Sequence, residues 1–301
     1  MTPSELTPSE AASATTSAPA LPKAPPFGVR LAVAMREYGP LCAGIDPHRE
    51  LVQSWGLPYT LDGVRTFAMT CVEAFGAEVA AVKPQSAFFE VFGSGGMALL
   101  EEVVAGLRDL GTLSVLDVKR GDIGSTMSAY AEAYLREGPH APDAVTLSPY
   151  LGYESLRPAI DLAHDQGRGI FVLALTSNPE GAAVQHAMHD GVSVARAVAA
   201  GADRDNEAAR DRGELGSIGL VVGATVGQAA HDLALETGVT PVLAPGVGAQ
   251  GAGPAELDAV FGTARSRVLA ASSRDVLSAG PDAHVLRAAA RRTADALRCS
   301  A

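Results

Sequence analysis

The stretch Leu116-Asp117-Val118-Lys119-Arg120-Gly121-Asp122-Ile123-Gly124-Ser125-Thr126 starts as an apolar strand and ends in alternating charges. In extended backbone, residues i and i+2 share a face, so Asp117 and Lys119 emerge side by side, and Gly121 lets the chain turn before Asp122. An acid, a base and a second acid at the end of a buried strand are how a site is built. An ion-paired strand end with a purely structural role is the alternative reading.

Outward from this stretch the chain alternates. Short β-branched or apolar runs at 41–46, 79–85, 113–119, 144–149, 169–176, 219–225, 241–248 and 267–272 read as strands. Segments of helical periodicity follow each of them, near 61–75, 97–110, 128–136, 154–164, 193–212, 228–236, 256–263 and 283–297. In the first, Leu61, Val64, Phe67, Ala68, Cys71, Val72 and Phe75 recur at helical spacing after an N-cap at Thr60. Eight strands each followed by a helix predict an α/β fold, a (β/α)8 TIM barrel. Strand counting alone leaves a doubly wound open sheet as the alternative. Asp46, Lys83, Lys119, Ser177, Gln250 and Arg274 all fall at or just beyond a predicted strand's C-terminal end, and barrel enzymes place their sites on that face.

Composition sets limits on function. The 301 residues are 47% hydrophobic and 19% charged, which is enough apolar material for a sizeable core. The net charge of -11 and the lack of a basic run argue against nucleic acid or an anionic membrane as partner. Residues 1–27, rich in Ala, Pro, Ser and Thr, read as a disordered N-terminal tail, leaving 28–301 as a single barrel domain. That tail lacks the basic start and apolar stretch of a secretory signal, and no run is long enough to span a bilayer. Cys42, Cys71 and Cys299 lie far apart without metal-ligand spacing, which fits free thiols in a reducing cytoplasm.

The segment Ala244-Pro245-Gly246-Val247-Gly248-Ala249-Gln250-Gly251 follows the seventh strand, and Ser272-Ser273-Arg274 follows the eighth. Loops after the last two barrel strands often hold a phosphate, because glycines bring backbone N–H groups close. Gly246 and Gly248 would supply that approach and Arg274 the charge. A plain tight turn is the alternative for the glycines. His48, His186, His189 and His231 are scattered without a ligand partner at useful spacing and read as loop or surface histidines.

At this point the motifs resemble a known family. The run from Asp117 to Thr126 matches the Asp-x-Lys-x-x-Asp-Ile-x-x-Thr signature of orotidine 5′-phosphate decarboxylases. Ala81-Val82-Lys83-Pro84-Gln85-Ser86-Ala87-Phe88-Phe89-Glu90, Ser148-Pro149-Tyr150-Leu151-Gly152 and Leu175-Thr176-Ser177-Asn178-Pro179 are similar to the longer bacterial branch. The resemblance implies a charged catalytic tetrad of Lys83, Asp117, Lys119 and Asp122, with Asp122 serving the neighbouring subunit's site and Thr126 accompanying it. It also implies that Asp46 and Lys83 contact ribose hydroxyls, Ser177 the pyrimidine, and Gln250 and Arg274 the phosphate. A homodimer with shared sites, a nucleotide substrate and no cofactor or metal are further implications.

The chemistry the family performs suits these residues. Loss of carbon dioxide from C6 of the pyrimidine leaves electrons in an in-plane orbital, so the carbanion needs a fixed positive charge and then a proton. Lys119 can provide both, and acids on either side favour its charged form in a site that excludes water. Three rival readings fit the same residues. Related phosphate-binding barrels with the same Asp-x-Lys-x-x-Asp pattern use a divalent metal for aldol or sugar-acid decarboxylation chemistry, but typically carry an acid on strand two, where this chain has Lys83. A Schiff-base aldolase using Lys83 or Lys119 is the second, and a catalytically silent nucleotide-binding protein the third.

Overall fold

Alternation decides which side chains fill the interior. In the computed structural model, which describes residues 24–138, 140–248 and 251–298, eight parallel strands close into a barrel. They are β1 (Leu41–Ile45), β2 (Ala81–Pro84), β3 (Leu113–Arg120), β4 (Ala144–Leu147), β5 (Gly169–Leu175), β6 (Ile218–Val222), β7 (Val242–Pro245) and β8 (Val268–Ser272). Each pairs with its sequence neighbours, and β8 returns to β1 with Leu41 opposite Ala270, so the open-sheet alternative falls. A short antiparallel hairpin, Met188–His189 with Val192–Ser193, extends the connection after β5.

The lower interior is a buried apolar cluster that includes Cys42, Ala81, Leu113, Val115, Ala144, Phe171, Val221, Leu243, Leu269 and Ala271. Two residues further along the same faces stand Lys83 on β2, Asp117 on β3 and Thr146 on β4. On these three strands the inward-facing row is therefore apolar at the bottom and polar at the top. The other face of each strand packs on the surrounding helices, among them Leu61–Phe75, whose N-cap Thr60 accepts from the Gly63 N–H as its sequence implies.

The N-terminal end of the barrel is plugged by a helix absent from the sequence reading, Phe27–Tyr38. Phe27, which that reading put in the disordered tail, is fully buried and meets Phe171 edge-on at 5.9 Å. Burying Phe27 and Leu31 contributes about 1.5–3 kcal/mol each, enough to fix the segment. The boundary of the folded domain moves accordingly; residues 1–23 lie outside the described residues.

Other differences have local causes. The helix expected over 193–212 breaks into Val194–Asp205 and Glu207–Asp211 at Asn206. That buried side chain donates to the Ile218 carbonyl and accepts from the Ile218 N–H, tying the break to β6. The segment near 228–236 is a 3-10 helix, Gly227–Leu233, and 3-10 Tyr153–Leu156 precedes helix Arg157–Gln166. Cys42 and Cys71 are free and buried; burial pushes the Cys42 thiol up to about 12. Among the described residues no helix is long and apolar enough to cross a membrane.

Candidate active site

The polar tops of the inward rows surround one cavity of about 300 Å³ at the C-terminal mouth. Asp46 lines it from just past β1, Lys83 from β2, and Asp117 and Lys119 from β3, while Gly246 and Arg274 line it from just beyond β7 and β8. Its floor is apolar, formed by Leu173, Val221, Leu243 and Ala271. A flat ring can rest on that floor while polar substituents reach the rim.

The charges form a continuous chain. Lys83 Nζ lies 3.0 Å from Asp117 Oδ2 and 3.9 Å from Asp46 Oδ1, and Lys119 Nζ lies 2.7 Å from Asp117 Oδ1. Lys83 and Asp117 are only 6% and 8% exposed, whereas the Lys119 side chain is 45% exposed, so its ammonium alone opens broadly to the cavity. Burial by itself would raise the Asp117 carboxyl, but Lys83 and then Lys119 pull it down to about 2. Burial would likewise lower Lys83, yet Asp46 and Asp117 hold it above the ordinary lysine value. Both groups stay charged at neutral pH. Asp46 Oδ1 is buried without a hydrogen-bond partner among the described residues, so it can take a ligand hydroxyl.

β3 needs an irregular end to present both residues. Its pairing with β4 shifts between Leu116, opposite Val145, and Arg120, opposite Leu147. Within that shift Lys119 takes a left-handed backbone with φ of 46°, rare for a side chain of its size. Its N–H donates to Thr146 Oγ1 at 3.0 Å, and the Thr146 hydroxyl donates to Asp117 Oδ1 at 2.7 Å. Lys119 Nζ also donates to Gln85 Oε1 at 3.4 Å.

Most residues named from the sequence converge here, and some do not. Gly246 lines the cavity and Gly248 lies one turn beyond; their φ values of 105° and 79° are conformations that glycine adopts freely. An added Cβ at Gly248 would also come within 2.8 Å of Asp275 Cβ. Gln250 lies outside the described residues. Ser177 is exposed, and Thr176 lines the cavity in its stead, because β5 shifts register against β6 between Leu173 and Leu175. Asp122 and Thr126 do not line the cavity, Asp122 accepting from the adjacent Ile123 N–H and Thr126 exposed on helix Gly124–Leu135. His48, read as an ordinary loop histidine, lines the cavity and packs on Phe88 with ring centroids 4.2 Å apart. Thr146 and Gln85 also line it and were missed, although both fall on inward positions of their strands.

A family model described as "Orotidine 5'-phosphate decarboxylase / HUMPS family" matches residues 39–289. The chain belongs to that family. It is 57% identical over 268 residues to the orotidine 5′-phosphate decarboxylase of Salinispora arenicola, covering 88% of this chain and 95% of that one. Its identity to the Streptomyces coelicolor enzyme of the same name is 54% over 278 residues, covering 91% and 97%. Among solved structures, it superposes with a TM-score of 0.86 on a candidate orotidine 5′-phosphate decarboxylase from Streptomyces avermitilis, 53% identical and covering 91% and 95% of the two chains. The Lys83, Asp117 and Lys119 chain stands at the mouth of this barrel.

Proposed function

We propose that the protein decarboxylates orotidine 5′-phosphate to uridine 5′-phosphate, the last step of de novo pyrimidine nucleotide synthesis. The observation that carries this reading is the Lys83, Asp117 and Lys119 chain, with a lysine on β2 held between Asp46 and Asp117. The metal-dependent rivals place an acid at that position; a fixed ammonium there repels a divalent cation. The reaction breaks the bond between C6 and the carboxyl group, leaves the electron pair on C6 and releases carbon dioxide. Lys119, the ammonium open to the cavity, stabilises that pair and delivers the proton to C6. Asp117 holds Lys119 in place through a 2.7 Å ion pair and is itself fixed by Lys83. These groups supply the charge and the proton without a cofactor.

The other assignments follow the cavity. Asp46 and Lys83 take ribose hydroxyls, Thr176 at the end of β5 reaches the pyrimidine in place of the adjacent Ser177, and Gly246, Gly248, Gln250 and Arg274 hold the phosphate. Asp122 and Thr126 serve the site of a second copy. Ile123, Tyr150 and Leu151, exposed apolar residues on the adjacent loops, fit burial in that homodimer. The buried free thiols fit a cytoplasmic enzyme.

The deciding experiment follows the ultraviolet absorbance of orotidine 5′-phosphate with purified, metal-depleted protein. Loss of the substrate band with formation of uridine 5′-phosphate is expected; an unchanged spectrum with folded protein overturns the reading. Arg274 gives a second prediction. Among the described residues its guanidinium makes no hydrogen bond or ion pair, and it lines the cavity, so its charge is available to an anion. Phosphate binding can hold the ring in place and strengthen interactions made in the transition state. Arg274→Ala should lower kcat/KM for the nucleotide by about 10²-fold or more while barely changing the slow reaction of orotidine lacking phosphate. Equal loss with both substrates contradicts the role.

A further inference from the structure

We infer that Thr146 is a positioning residue for the proton donor, its hydroxyl coupling the backbone of Lys119 to the carboxylate that holds the Lys119 ammonium. This inference rests on the decarboxylase reading and adds a residue that neither the signature motif nor the charged tetrad contains.

Hydrogen-bond accounting fixes the direction of each bond. A threonine hydroxyl has one proton and two lone pairs. The Lys119 N–H can only donate, so Thr146 Oγ1 accepts it at 3.0 Å and must turn its own proton to Asp117 Oδ1 at 2.7 Å. The same Oδ1 accepts from Lys119 Nζ at 2.7 Å. The bonds close a ring from the Lys119 amide through Thr146 and Asp117 back to the Lys119 ammonium. Both ends of one lysine are therefore referenced to a single carboxylate oxygen, and Thr146, only 1% exposed, has no room to turn away.

The location explains why such a clamp is needed. Between the Leu116–Val145 and Arg120–Leu147 pairs, three residues of β3 stand opposite Thr146 alone. The regular ladder is lost there, and Lys119 is in the left-handed region. The Thr146 hydroxyl replaces the missing ladder partner of the Lys119 N–H. Without it, that amide loses its bond, Asp117 Oδ1 loses a donor, and the backbone carrying the ammonium is free to relax to an ordinary conformation. Displacement of a catalytic group by about 1 Å costs on the order of 10²-fold in rate.

The test uses Thr146→Val, which keeps the shape and removes the hydroxyl, beside Thr146→Ser, which restores it. With orotidine 5′-phosphate the valine variant should lose on the order of 10²-fold in kcat, while KM and the affinity for uridine 5′-phosphate stay within about threefold of wild type, since the hydroxyl positions Lys119 and does not bind the product. Thr146→Ser should recover most of the lost kcat. Valine retaining wild-type kcat, serine failing as valine does, or product affinity falling in parallel with kcat would each overturn the inference. Wild-type protein in the same assay separates the two readings: no turnover by wild type defeats the decarboxylase assignment, whereas active wild type with an equally active valine variant defeats only the role of Thr146.

Discussion

Lys119→Ala is expected to reduce decarboxylation by about 10⁴-fold or more with the fold and the association state intact. Two separate contributions disappear together in this variant: the positive charge beside C6 as carbon dioxide leaves, and the proton that completes the product. No neighbour can replace them. Lys83 is committed to Asp117 at 3.0 Å and Asp46 at 3.9 Å on the cavity wall, and moving it would strand two acids. The fold survives because Asp117 keeps Lys83 and the Thr146 hydroxyl as donors once Lys119 is gone. Removing Asp117 is different in kind. Lys83 would then lose its principal partner in a buried setting, and breaking such a pair costs about 3–5 kcal/mol. Long incubations with substrate, thermal denaturation and sedimentation measurements check the prediction for Lys119→Ala. Substantial turnover would remove Lys119 as the proton donor.

The ion-pair chain also fixes a pH response. Asp117 has a folded-state value near 2, below an ordinary aspartate. A depressed value stabilises the folded protein above the unfolded carboxylate range, about pH 4. That contribution diminishes as pH falls from there toward about 2 and is gone once the carboxylate is protonated in both states. Between pH 5 and 8 Asp117 should therefore produce no titration step in kcat.

What could be read in advance divides along a physical line. All eight barrel strands are legible because buried parallel strands are continuous apolar runs bounded by turns, and Asp46, Lys83, Asp117 and Lys119 stand out as charges ending such runs. Residues whose role depends on register are not legible in the same way. Thr176 and Ser177 are both plausible ring contacts, and only the shift in β5 after Leu173 decides which one lines the cavity. Thr146 is an unremarkable threonine until the irregularity in β3 turns the Lys119 N–H toward it. His48 gains its position from Phe88 on the short helix Ala87–Glu90 of the next βα unit. The helix Phe27–Tyr38 escaped because its packed stripe of Phe27, Leu31, Ala34 and Met35 is blurred by the apolar but exposed Val33 and starts inside the Ala- and Pro-rich segment. Gly28 is required there for close approach, since an added Cβ would fall 2.1 Å from the Leu215 carbonyl oxygen.

Mixing Lys119→Ala protein with Asp122→Asn protein is expected to restore activity that neither variant has alone. If each site takes Lys119 from one subunit and Asp122 from the other, every homodimer of either variant has two damaged sites. A mixed dimer has one site that combines both lesions and one that combines none, because the Asp122→Asn subunit supplies an intact lysine and the Lys119→Ala subunit an intact aspartate. Random exchange of subunits makes about half the dimers mixed, so recovery should approach about one quarter of wild-type activity. The placement of Asp122 motivates the test: its side chain bonds the adjacent Ile123 N–H outside the cavity that Lys119 lines, next to the exposed Ile123. The measurement is turnover as a function of mixing ratio after a cycle of dissociation and reassociation. A maximum near equal amounts is expected for shared sites. Activity that stays at the sum of the two inactive parents, with mixed dimers shown to form, would place Asp122 outside the partner's site and reduce the tetrad to the three residues joined within one chain.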